Sequence, residues 1–167
     1  MDPYERLGLP RRFSVDTAEL ERQYLMRSLE AHPDFHTASA PEAQANAEAE
    51  SAAINEAYTT LKDPFRRGEA LMALLGGPGA AEQKEMPPVF LMEMLELREQ
   101  IEQAIGPAKA KIETELVERE NAIFAGIAKS FENCEPPPAD AALLKGIRRE
   151  LNAAKYLRGL LRDLRNP

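Results

Sequence analysis

One cysteine, two histidines and no apolar run long enough to span a membrane leave this 167-residue chain without several common functional markers. The lone Cys134 excludes an internal disulfide and any multi-cysteine zinc or iron–sulfur site within one chain. With only His32 and His36, carboxylates would have to supply most ligands of a metal site. The absence of a long apolar stretch argues against a helical membrane protein. Met1-Asp2-Pro3-Tyr4-Glu5 has neither the basic-then-apolar profile of a signal peptide nor the acid-poor look of a transit peptide, so a reducing cytoplasm is the expected location. Positive charge is in deficit, with 21 basic against 28 acidic side chains and a net charge of −7. That balance disfavours non-specific binding to nucleic acid or to anionic membranes. There is no phosphate-binding glycine loop and no clustered acid–base set. Neither an enzyme nor a bound cofactor or metal is expected.

Strand signals are also scarce, because β-branched and aromatic residues never alternate with polar ones over a useful length. What remains is helical. Hydrophobic residues make up 44% and charged residues 29%, as in a folded chain, and the length suits one ordinary domain or two small ones. The 13 prolines are bunched, which marks them as punctuation between helices.

Tyr4 to Leu9 reads as a short apolar opening turn closed by Gly8 and Pro10. Asp16-Thr17-Ala18-Glu19 has the form of a capping box and opens a helix to about Ala31, with Leu20, Tyr24 and Ala31 on one side. The residue before Pro33 is pushed out of the helical region and ends it. Pro41 suits the first turn of the next helix, whose Ile54, Ala57, Tyr58 and Leu61 have the spacing of a core face. Asp63-Pro64 stops it, and a short helix follows from Phe65 through Leu75. Gly76 to Pro88, with its prolines and glycines, is the expected boundary between domains. Three longer helices are predicted beyond it, over Val89–Ile105, Pro107–Phe131 and Asp140–Leu164, and short breaks between them predict an antiparallel bundle. The expected stripes are Phe90, Met94, Leu97, Ile101 and Ile105 on the first, Ile112, Leu116, Ile123 and Ile127 on the second, and Leu143, Ile147, Leu151, Ala154 and Leu161 on the third.

The chemistry concentrates at His32-Pro33-Asp34. A proline-stiffened tip holding an imidazole and a carboxylate is a poor catalytic arrangement, because neighbouring residues cannot easily address one substrate atom. It makes a good docking tip, since a rigid apex loses little entropy on binding. Taken alone, the tripeptide reads more readily as a plain turn in which Asp34 caps the residues that follow. Its context resembles the J domain over roughly residues 2–75: Tyr4-Glu5-Arg6-Leu7-Gly8-Leu9 opens the chain, Tyr24 lies eight residues before His32, and a long helix ends at Asp63-Pro64. The resemblance implies an antiparallel helix pair whose His32-Pro33-Asp34 loop and preceding basic residues, here Arg22 and Arg27, engage a DnaK-type ATPase chaperone. It departs from the pattern at Phe35, where most J domains carry lysine, and at Arg27, where the family places an apolar residue.

The second half narrows the resemblance. Phe90-Leu91-Met92-Glu93-Met94-Leu95-Glu96-Leu97-Arg98-Glu99, with three helices after the linker, is similar to the HscB family, co-chaperones of iron–sulfur cluster assembly. On a helical wheel Leu91, Met92 and Leu95 fall opposite the core stripe, beside Glu96, Glu99 and Gln103. From the residues alone they either pack against the rest of the chain or form an exposed apolar patch with an acidic rim, which marks a protein-binding surface. The resemblance implies that Leu91, Met92, Leu95, Glu96 and Glu99, with Gln103 in place of an acidic residue, bind the scaffold protein IscU. An aromatic that the family contributes from its last helix aligns with Ala153, near Tyr156, and is not carried over.

The expected protein is therefore all-α and L-shaped, with a J domain over 1–75, a linker over 76–88 and a scaffold-binding three-helix bundle over 89–167. Its expected partners are a DnaK- or HscA-type ATPase and an IscU-type scaffold. The competing readings are a non-chaperone helical adaptor whose His-Pro-Asp is only a turn, and a J protein with another client.

Overall fold

The computed structural model describes residues 1–32, 41–134 and 138–166. Seven helices and no strands occur among them, in two compact units, Met1–Leu71 and Met72–Pro167.

In the first unit α1 spans Pro3–Leu7, α2 Thr17–Glu30 and α3 Pro41–Lys62; α4, Pro64–Leu74, begins there. Helix α1 is short enough to need strong ends. Asp2 accepts the backbone N–H groups of Tyr4 and Glu5, and Glu5 reaches back to the Asp2 N–H, completing a capping box. Gly8 closes the helix in the left-handed region at φ 65°, where a side chain would be strained. Tyr4 and Leu7 are thereby driven fully into the core with Leu20, Ile54, Ala57 and Leu61.

Helix α2 starts where its sequence predicts, with Asp16 capping Ala18 and Glu19. The box stays half-made: Glu19 binds Arg22 and Gln23 instead of turning back. A guanidinium one turn along offers a carboxylate a charge-assisted bond, which is stronger than a neutral N–H. The α2 and α3 helices run antiparallel, because Glu21 accepts from Tyr58 while Tyr24, further along α2, reaches back to Asn55 at 2.9 Å. Tyr24 and Tyr58 stack between them with centroids 4.1 Å apart. Lys62 donates to the Tyr58 hydroxyl at 2.9 Å. Helix α4 starts straight after α3: Pro64 takes the first position, Asp63 accepts the Arg66 N–H at 2.8 Å, and Arg67 donates to the Leu61 carbonyl at 2.8 Å.

The second unit is built on α5, Pro88–Gln103, α6, Pro107–Glu132, and α7, Ala141–Arg165. Arg165 meets Glu113 and Arg158 meets Glu120, each at 2.7 Å, so α6 and α7 are antiparallel. Arg119 ties α6 to Glu93 of α5 at 2.8 Å. Met94 and Leu97 of α5 share a core with Ile112, Leu116, Leu157, Leu160, Leu161 and Leu164, which makes the three helices one bundle. The turn from α5 to α6 depends on Gly106, whose φ 57° and ψ −123° only glycine adopts freely. The stretch before α5 is pinned to the bundle: Asn152 donates to the carbonyls of Gln83 and Glu85, both at 2.9 Å, and Gln83 donates to that of Lys145.

One expected core residue is not in the core. Ile105 is 86% exposed, because α5 ends at Gln103 and Ala104 turns extended, which breaks the helical phase two residues early. Ala104 packs against the cluster in its place. On α7 Leu144 is buried and Leu143 only half-buried.

Candidate protein-docking surfaces

Two surfaces carry the residues that the sequence singles out. The first is the far end of α2. Its last turn places His32 exposed, with its N–H donating to the Leu29 carbonyl at 3.3 Å. Pro33 and Asp34, with Phe35, lie outside the described residues. Arg22 is exposed and held by Glu19 through Nε at 2.8 Å and a terminal nitrogen at 2.6 Å. The carboxylate bond and charge raise the Arg22 guanidinium above its ordinary range, and the Arg22 bond is the main cause holding Glu19 below its own. Arg27 is placed differently. It lies seven residues after Leu20, on the inward side of α2, with its Nε buried and a terminal nitrogen 3.7 Å from Glu30. The structure thus brings Arg22 and His32 to the outward side of α2 and leaves Arg27 at the edge of the core, with its side chain 42% exposed.

The second surface is α5. Its inward side is made by Met94 and Leu97, with Phe90 and Ile101 half-buried beside them. Leu91, Met92, Leu95, Glu96, Glu99 and Gln103 are all exposed. Within the bundle Leu91 and Leu95 do not pack into the core; they are 41% and 64% exposed. Met92, Glu96, Glu99 and Gln103 follow one another at helical spacing, so one stripe runs from apolar to acidic along the helix. Val89, 69% exposed and three residues before Met92, extends its apolar end. The sequence reading passed over Val89, although its spacing to Met92 held the signal. Ala153 is fully buried, and Tyr156 is spent edge-on against Phe90 at 6.2 Å, which fixes α5 rather than presenting an aromatic outward.

No group of three or more potential metal ligands occurs among the described residues. Cys134 is buried and donates to the Ser130 carbonyl at 3.4 Å. Burial pushes its thiol up, with Asp140 adding to the effect, so it is a poor nucleophile and a poor ligand. No helix among the described residues is long and apolar enough to cross a membrane.

An antiparallel helix pair with a short capped helix packed into its base, and His-Pro-Asp at the junction, is the architecture of a J domain. The family model described as the DnaJ domain matches residues 2–69. A second, described as the HSCB C-terminal oligomerisation domain, matches residues 86–165. Among curated proteins, the chain is 41% identical over 103 residues to a co-chaperone protein HscB homolog of Vibrio cholerae, and 38% identical over 103 residues to the co-chaperone protein HscB of Proteus mirabilis. Each match covers 61% of this chain and spans 60% of the relative. Of solved structures, chaperone HscB from Vibrio cholerae superposes with a TM-score of 0.81 at 26% identity, covering 99% of this chain and 96% of that one. Human co-chaperone protein HscB gives a TM-score of 0.85 at 24% identity, covering 99% and 81%, a likeness of fold. The chain belongs to the HscB-type J-domain co-chaperones.

Proposed function

We propose that the chain is a co-chaperone that recruits a DnaK- or HscA-type ATPase through His32-Pro33-Asp34 and presents to it an IscU-type scaffold held on α5. The J domain, residues 1–75, addresses the ATPase; the bundle, residues 89–167, holds the scaffold through Leu91, Met92, Leu95, Glu96, Glu99 and Gln103. Arg22 flanks the tip, and Arg27 supports it from the inward side of α2. The protein hydrolyses nothing itself. It accelerates the partner's ATP hydrolysis in the cytoplasm and so commits the chaperone to the scaffold during iron–sulfur cluster maturation.

The observation that carries this reading is the pairing of a His-Pro-Asp-bearing J domain with a bundle whose α5 exposes Leu91, Met92 and Leu95 beside an acidic rim. Buried apolar anchors supply most of the energy of a protein interface, and surrounding charges set its orientation. A second reading is favoured by the oligomerisation role in the description of the C-terminal family model. In it α5 meets another copy of the chain.

The test is the steady-state ATPase rate of a purified DnaK-type partner with this protein, with and without purified IscU-type scaffold. The rate should rise with the protein and rise further with scaffold, and His32→Gln should abolish both increments while the helical circular-dichroism spectrum is unchanged. Stimulation by His32→Gln at wild-type strength would overturn the docking role of the tip. A scaffold effect that is absent, together with a dimer that Leu91→Ala and Leu95→Ala dissociate, would favour the second reading of α5.

A further inference from the structure

The stretch ahead of α5 and one face of α7 form an open groove of about 290 Å³, lined by Ala80, Lys84 and Met86 on one side and by Asn152, Lys155 and Tyr156 on the other. All six belong to the second compact unit, and none is on α5. The three α7 residues share a face, because positions three and four apart stand one above the other on a helix. Asn152 fixes the opposite wall. Its amide donates to the carbonyls of Gln83 and Glu85, both at 2.9 Å, and Lys84 is the residue between them. Two carbonyls can be met only by the NH2 group, so the Asn152 Oδ1 remains as an acceptor beside the groove. The Tyr156 ring is held edge-on by Phe90 at 6.2 Å. These contacts set the walls without using either ammonium group.

Charge marks the groove out. In the same unit Arg119, Arg149, Arg158 and Arg165 each meet a glutamate. Among the described residues Lys84 and Lys155 meet none. Glu85, adjacent to Lys84, is engaged by Arg149 at 3.5 Å. Two uncompensated ammonium groups over one groove, in a chain of net charge −7, attract an anion to that spot. Met86 and Ala80 add an apolar wall beside them.

We infer that this groove captures the carboxy terminus of a partner polypeptide. Lys84 and Lys155 hold the terminal carboxylate, the Tyr156 hydroxyl donates to it, and the Asn152 Oδ1 accepts the last peptide N–H. The last side chain, aliphatic, lies on Met86 and Ala80. A bare inorganic anion would use the two ammonium groups and leave the acceptor and the apolar wall idle; a chain end uses all three. The volume lies at the small end of ligand pockets, which suits a chain end, and capture of a terminal carboxylate is a recurring mode of peptide recognition. None of the residues assigned above to the chaperone or the scaffold lines the groove, so the inference stands or falls apart from those roles.

The probe is N-acetyl-Gly-Gly-Ala-Leu with a free carboxylate, titrated into the isotope-labelled full-length protein and followed by backbone amide NMR shifts. The same peptide as its C-terminal amide and inorganic phosphate are titrated in parallel. The free acid should give saturable shifts at Lys84, Asn152 and Tyr156, with a Kd below about 1 mM. The amide should bind at least about tenfold more weakly, and Lys84→Gln with Lys155→Gln should weaken the free acid by a similar factor, as expected for loss of a charge-assisted contact. Tyr156→Phe, which keeps the ring for Phe90, should weaken it about threefold. Lys111→Gln with Lys129→Gln, which removes two exposed ammonium groups of α6 outside the groove, should leave binding unchanged. Circular dichroism and thermal melting check that every variant is folded. Equal binding of acid and amide would overturn the carboxylate contact. Phosphate that displaces the peptide at equal concentration would make this a site for any small anion and overturn the chain-end reading. Full-strength binding by the Lys84 and Lys155 double variant would place the carboxylate elsewhere and overturn the inference as well.

Discussion

Truncating two leucines on α5, Leu91→Ala with Leu95→Ala, tests the scaffold surface with a predictable magnitude. The side chains are 41% and 64% exposed, so together they present about one leucine's worth of accessible surface to a partner. Burying a whole leucine contributes about 1.5–3 kcal/mol, and the alanine methyls retain part of this. The expected loss is about 1–2 kcal/mol, a five- to thirtyfold weaker Kd. Folding should change by less than about 0.5 kcal/mol, because the truncated carbons are largely in water and alanine favours the helix. Isothermal titration with an IscU-type scaffold measures the first quantity and chemical denaturation the second. Stimulation of the ATPase in the absence of scaffold should be untouched, since the proposed docking tip lies in the other compact unit. A Kd within twofold of wild type would refute the α5 surface. A stability loss above about 2 kcal/mol would refute the placement of these leucines on the outside of the bundle.

Two further outcomes follow from the fold itself. Leu157 is fully buried where α5, α6 and α7 meet, so Leu157→Ala should cost about 2–5 kcal/mol in the denaturant-induced unfolding of the bundle, and a cost under about 1 kcal/mol would contradict the shared core. At Asp2, desolvation raises the pKa, but the N–H bonds from Glu5 and Tyr4 and the Arg11 guanidinium outweigh it and hold the carboxyl below 3.8. A folded-state pKa below the unfolded one adds stability that is present above about pH 4 and is lost as pH falls through the folded value. Asp2→Asn should therefore flatten the fall in melting temperature of the J domain on acidification below about pH 4, and an unchanged slope would contradict the cap.

Helix ends were the most legible feature of the chain, for a local reason. Asp16 and Asp140 accept N–H groups only two or three residues on, and Pro41, Pro64 and Pro107 fit first turns whose N–H groups need no partner. Such choices are settled within one turn of backbone. The inward faces were nearly as legible, because Leu20, Ile54, Leu61, Met94, Leu116 and Leu151 recur at the helical period. Phase failed where a helix stopped early, as at Ile105. It also failed where a side chain had two competing partners, as at Glu19.

The candidate surfaces were legible as lists of residues more than as arrangements. The sequence alone determined that this chain is helical, where its helices begin, most of the residues they bury and that a His-Pro-Asp junction follows α2, because propensity, capping and periodicity act over a few residues. Only the tertiary structure decided which remaining side chains stay in water. It put Arg27 on the inward side of α2, left Leu25, Met26 and Leu29 outside, and gave Tyr156 to Phe90. Exposure is a property of how helices pack around a shared core, and neighbours distant in sequence set it.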